Sequence, residues 1–201
     1  MINAFRLSIP FILFLLLLSS ACTKRLPVNF SVPNIGVSST KLDAELKSLT
    51  VSVARPDEGG EIHKRIFFHP LPLSFHAGLW KTALEEAFNR MAIFKDDSPK
   101  KVSLAVKILK FDTRELTIAH TSARYEIIDR SDGSIIFTTD ISTSGEGPIK
   151  IDPLCDFGCA MGSRVVDGLN RSVQKNIIQF LQVLETVDMD KPIFHSNKKI
   201  D

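Results

Sequence analysis

The chain has 201 residues, with 25 Lys and Arg against 23 Asp and Glu and 44% hydrophobic residues. That length suits one domain with tails. The near-balanced charge excludes a strongly basic nucleic-acid binder, the apolar share excludes wholesale disorder, and three cysteines are too few for a disulfide-dense scaffold or a four-cysteine zinc site.

Arg6 and the amino terminus form a weakly positive start. Ile9 to Leu18 follow as an apolar run broken only by Pro10, and Ser19-Ser20-Ala21 are small. This order predicts a signal peptide over residues 1–21. The run is shorter than the roughly 20 residues a spanning helix needs.

The segment Leu18-Ser19-Ser20-Ala21-Cys22 resembles a bacterial lipobox, with Ser19 where the usual leucine lies. The resemblance implies that the Cys22 thiol is acylated and that Cys22 becomes the mature N-terminus. Ordinary cleavage leaving a free thiol is the alternative, and an unpaired thiol is a liability at an exported terminus. Several acyl chains would make membrane residence stable. Thr23 in place of an Asp implies export to the outer membrane, facing the periplasm.

Residues 22–48 contain Pro27, Pro33 and Gly36 and read as a lipidated N-terminus and extended tether. Leu26, Val28, Phe30 and Val32 alternate, so part of it could lie as an edge strand. The globular domain is expected over 49–187. Leu49, Val51 and Val53 alternate with Thr50 and Ser52, which predicts a strand ended by Arg55 to Gly60. Ile66-Phe67-Phe68 predicts a short strand stopped by His69-Pro70-Leu71-Pro72. Ser74 is the expected N-cap of a helix whose apolar stripe is Trp80, Ala83, Leu84, Ala87, Phe88 and Met91.

Three strands are predicted next. They hold Val102 to Ile108, Ser122 to Asp129, and Ile135 to Ile141, with Asp132-Gly133 as a hairpin turn between the last two. A final helix is expected over about Ser163 to Leu184, with Val166, Leu169, Val173, Ile177, Phe180, Leu181 and Leu184 on one face. Residues 188–201 read as a flexible or loosely docked tail. The order predicts an α+β, two-layer sandwich: an antiparallel sheet of about four strands with two helices on one face.

No metal-ligand spacing joins His63, His69, His76, His120 and His195, and no nucleophile elbow occurs. Asp96-Asp97 and Asp129 with Asp132 read as solvated turn residues. His120 and Asp140, on adjacent predicted strands, are the best acid–base pair available, and structural roles explain them better. Cys155 and Cys159 form a C-x-x-x-C pair. A disulfide in a loop is preferred over free thiols in an oxidising compartment, and over a redox motif, which would use C-x-x-C.

The helix Leu79-Trp80-Lys81-Thr82-Ala83-Leu84-Glu85-Glu86-Ala87, the strand Val102-to-Asp112, the segment Arg124-Tyr125-Glu126-Ile127-Ile128-Asp129 with Gly133, and the long last helix follow the lipobox in order. This arrangement resembles small Gram-negative envelope lipoproteins of the YajG-like type and the auxiliary lipoproteins of ABC-type lipid transport systems. The resemblance covers roughly Leu49 to Leu184 and implies a compact α/β sandwich on an outer-membrane anchor, with no catalytic residues to carry over. The expected function is a non-enzymatic accessory or binding subunit in envelope maintenance, with lipid transport the leading case. A lipoprotein that partners an outer-membrane barrel, as lipopolysaccharide-assembly lipoproteins do, is the alternative; an envelope-lipid-modifying enzyme ranks below both. No cofactor and no nucleic-acid partner is expected. The membrane is contacted through the lipid anchor, and a transporter or outer-membrane complex is expected through the open sheet face, a strand edge or the apolar segment Ile66 to Phe75.

Overall fold

The computed structural model describes residues 27–63, 72–115, 117–148, 157–188 and 193–195, with backbone alone at 63, 157–161 and 193–195. Strands β1 (Glu45–Val53), β2 (Glu61–His63), β3 (Lys101–Asp112), β4 (Ile118–Asp129), β5 (Ile135–Glu146) and β6 (Ile193–His195) form one sheet, and helices α1 (Leu73–Met91) and α2 (Phe157–Leu184) cover it. The sheet order is β1-β3-β4-β5-β6, with β2 also on β3. This is an α+β fold.

The three central strands pair antiparallel, as their alternation and the Asp132-Gly133 turn predict. The edges differ from that expectation. β1 and β2 run parallel to β3, and β6 runs parallel to β5. Parallel neighbours need a long crossover, and α1 and α2 supply one each. β1 and β2 share one edge of β3 end to end. The break between them, Ala54 to Gly60, falls beside Leu109, which is an extra residue in the β3–β4 ladder. That bulge shifts the alternation by one, so Phe111 points inward after Val102, Leu104, Val106 and Ile108.

One face of the sheet is apolar and lies under the helices. Tyr125 stacks on Phe180 of α2 with ring centroids 3.9 Å apart, and Phe88 of α1 meets Phe180 edge-on. The other face is polar. Ser48 bonds Ser103, Ser142 bonds Ser122, and Arg124 grips both carboxylate oxygens of Asp140 at 2.7 and 2.8 Å.

Several local expectations are corrected. The N-cap of α1 is Pro72, in extended conformation, so Ser74 lies inside the first turn. β2 occupies Glu61–His63, whereas the strand expected at Ile66-Phe67-Phe68 lies outside the described residues. α2 begins at Phe157, six residues before the expected start, so Cys159 sits on helical backbone where a loop was expected. Ile193–His195, expected as loose tail, pairs with Phe137, Thr138 and Thr139 of β5.

The larger correction concerns residues 27–44. They are packed into the domain. Phe30, Val32, Leu42 and Ala44 are all buried, and Phe30 lies 6.2 Å from the Trp80 ring. The segment runs along the groove between the helices. The Asn29 and Ser31 carbonyls accept from Gln174 of α2, the Ser31 hydroxyl donates to Glu86 of α1, and Arg90 donates to the Val32 carbonyl. Further along, the Ser38 hydroxyl donates to Glu185 beyond α2, and the Ser38 N–H to the Met91 carbonyl at the end of α1. Prolines deny this segment a helix, but its alternating apolar residues still find a core.

A buried polar seam joins α2 to β4 and β5. The Tyr125 hydroxyl donates to Asn176 Oδ1 at 2.8 Å, and Asn176 Nδ2 donates to the Ile141 carbonyl at 2.8 Å. Ser172 donates to the Thr143 carbonyl, and its oxygen lies 2.9 Å from Thr121 Oγ1. These side chains supply hydrogen bonds to β5 past the point where β6 stops. The approach is close because Gly145 has no side chain: a Cβ there would lie 2.2 Å from the Gly168 carbonyl oxygen.

Candidate functional site

Three chain segments meet at the end of the sheet where β1 and β3 begin. The Glu45 N–H donates to the Lys100 carbonyl at 2.8 Å, which fixes the start of β1 to the start of β3. The β4–β5 hairpin closes through Asp129 N–H to the Ser134 carbonyl, with Gly133 at φ 77° in the left-handed region. The Arg130 N–H then donates to the Lys101 carbonyl at 3.0 Å and ties the hairpin to β3.

Between these segments lies an open cleft of about 610 Å³, lined by Lys47, Pro99, Lys100, Lys101, Asp129, Arg130 and Ser131. Lys47 enters it from a bulge. Leu46 pairs with Val102 and Ser48 with Ser103, so Lys47 is an extra residue with no partner on β3. Bulges re-aim side chains in this way.

Two carboxylates serve the cleft. Glu45 accepts from both Lys101 and Lys47. Those bonds, the Lys101 bond foremost, hold its carboxyl below the usual range. Asp129 Oδ1 accepts from the Ser131 hydroxyl at 2.7 Å and the Ser131 N–H at 2.8 Å. These bonds, with a smaller contribution from Lys100, hold Asp129 below its ordinary value. Lys47, Lys100, Lys101 and Arg130 thus line the cleft together with the Asp129 carboxylate, and Glu45 pairs with two of the lysines.

The sequence-derived candidates are dispersed. Cys22 and Cys155 lie outside the described residues. His120 and Asp140 do share the open sheet face, but His120 stands opposite Ser144 and Asp140 opposite Arg124. Four residues of strand, about 13 Å, separate them. Among the described residues, the Glu115 carboxylate lies 3.6 Å from His120 Nε2. His76 is buried, with Nδ1 3.0 Å from the Pro72 carbonyl and its ring 5.0 Å from Phe111. Asp129 and Asp132 hold the hairpin turn through Ser131 and Ser134, as turn residues should. Among the described residues no group of three His, Cys, Asp or Glu could hold a metal ion, and no helix is long and apolar enough to cross a membrane.

Sequence reasoning did not find the cleft. Its local traces are Pro99-Lys100-Lys101 and Asp129-Arg130-Ser131, which read as an ordinary strand start and an ordinary turn.

No protein-family model and no curated protein matches the chain. Solved structures resemble it distantly. A protein of the DUF330 family from Xanthomonas campestris is 12% identical with a TM-score of 0.44, covering 80% of this chain and 94% of its own. A Caulobacter crescentus protein described as a lipoprotein is 14% identical with a TM-score of 0.38, covering 55% and 80%. PelC from Paraburkholderia phytofirmans, a dodecamer, is 12% identical with a TM-score of 0.39, covering 74% and 92%. At these scores the likenesses carry no functional argument.

Proposed function

We propose that this chain is a non-enzymatic lipoprotein of the bacterial cell envelope. It is anchored through acylated Cys22 at the periplasmic face of the outer membrane and works as an accessory or binding subunit in envelope maintenance, with lipid transport as its leading role. The observation that carries the reading is the order of the N-terminus, a short apolar run and small residues ending at Cys22, followed from Pro27 by chain bonded into the folded domain. Residues 22–26 alone separate the acylated thiol from that domain, a reach of at most about 18 Å. Such a protein works within a short distance of the membrane surface. His120 and Asp140 stand too far apart to act together as an acid–base pair.

The test is metabolic labelling with radioactive palmitate in a Gram-negative host, comparing the full chain with Cys22→Ser. Label in the wild type alone, and recovery of that protein in the outer-membrane fraction, is the expected result. An unlabelled wild-type chain released with the soluble periplasm would overturn the anchor. Proteins recovered with the labelled chain from gently solubilised envelopes distinguish a transporter subunit from a barrel as its partner.

A further inference from the structure

We infer that the cleft between the starts of β1 and β3 and the β4–β5 hairpin binds a small phosphate-bearing ligand. Lys47, Lys100, Lys101 and Arg130 enter it from three separate stretches of chain. Cations arriving from several directions suit an anion whose oxygens point in several directions, and a guanidinium suits two of those oxygens at once.

Glu45 is shared between Lys47 and Lys101, and Asp129 Oδ1 accepts from the Ser131 hydroxyl and N–H. Among the described residues the Arg130 side chain has no ion-pair partner, while its backbone is fixed by the Lys101 carbonyl.

The backbone carries an independent sign. From Ser48 to Val53 the β1–β3 ladder is regular, and its one irregularity puts Lys47 at the cleft. A bulge leaves a ladder position unpaired and re-aims its side chain. Lys47 and Lys101 stand on strands, Lys100 immediately before β3 with its carbonyl bonded to the Glu45 N–H, and Arg130 on a pinned turn. A volume of about 610 Å³ falls in the range of small-molecule sites. The near-neutral charge of the whole chain argues against a long polyanion. This inference does not depend on the anchor at Cys22.

The phosphate could belong to a free solute or to a lipid headgroup. Full-length protein in nonionic detergent at low salt would be titrated calorimetrically with inorganic pyrophosphate and, separately, with dihexanoyl-phosphatidylglycerol, which is water-soluble. Parallel titrations would use K100Q/R130Q and the control K81Q, whose lysine lies on exposed α1. The expected result is saturable binding of one probe by wild type and K81Q, weakened at least tenfold in K100Q/R130Q. Pyrophosphate binding would identify a free anion as the ligand, and binding of the lipid probe alone would identify a headgroup. If the double variant loses its cooperative melt, R130Q alone decides, because among the described residues that side chain holds no ion pair to lose. Absence of binding by both probes, or binding equal in wild type and variant, overturns the site.

Discussion

At the scale of single residues, the seam under α2 has the most at stake. Asn176 is fully buried and serves two partners, accepting from Tyr125 and donating to the Ile141 carbonyl. Burial pushes the Tyr125 phenol far above its usual range, so at physiological pH it remains a neutral donor. Asn176→Ala leaves both partners without this bond and is expected to lower the unfolding free energy by about 2–4 kcal/mol. Tyr125→Phe removes only a hydroxyl and should cost less, about 1–2 kcal/mol. Urea unfolding of both variants and their double mutant checks this, because shared partners make the two losses non-additive. Glycine positions separate in the same assay. Gly145→Ala drives a Cβ into backbone on α2 and is expected to cost about 2 kcal/mol or more. Gly78→Ala lies on exposed helix with open space around it, and should stabilise by about 0.5–1 kcal/mol. Equal midpoints for these two variants would contradict the close packing at Gly145.

At the scale of elements, residues 27–44 behave as part of the helical layer. Their apolar alternation was legible, but their partners were not, because nothing local says that a groove between two helices waits for Phe30. Removing that ring tests the packing. Phe30→Ala should lower the unfolding free energy by about 3–4 kcal/mol, measured by urea denaturation. A change under about 0.5 kcal/mol, as for an exposed position, would restore the tether reading. The amphipathic stripes of α1 and α2 were legible residue by residue, since a 3.6-residue repeat is written along the helix itself. The bulges at Lys47 and Leu109 were not. A bulge is defined by the partner strand, and the alternation in β3 reads as regular up to Ile108 without revealing that Phe111, rather than Lys110, resumes the inner face.

At the scale of the whole molecule, charge is arranged with a consistent sign. Asp43, Glu45, Glu58, Asp129 and Asp132 all sit below their ordinary values of 3.8 for Asp and 4.5 for Glu, through bonds to lysines, serines and backbone N–H groups. The unfolded chain therefore binds more protons than the folded one in the acid range. Stability present above about pH 4.5 is lost as pH falls through the depressed native values. The urea midpoint is expected to drop between about pH 6 and pH 3, and less steeply in Glu45→Gln; a midpoint independent of pH would show that these bonds contribute nothing to folding.

The fold class, the helical layer on one face of a sheet, the polar character of the other face and the central hairpin are all written in the order of the residues. Each follows from a period of two or 3.6 residues or from one turn, and such signals are complete within a few neighbours. Tertiary structure alone decided the parallel edges, the course of residues 27–44 and the basic cleft. Strand direction at an edge depends on how a crossover helix packs, not on the strand's own residues. The cleft joins Lys47, Lys100 and Arg130 across more than half of the domain. Their proximity comes from loop closure and backbone pairing between distant segments, and no stretch of chain records it before the sheet has formed.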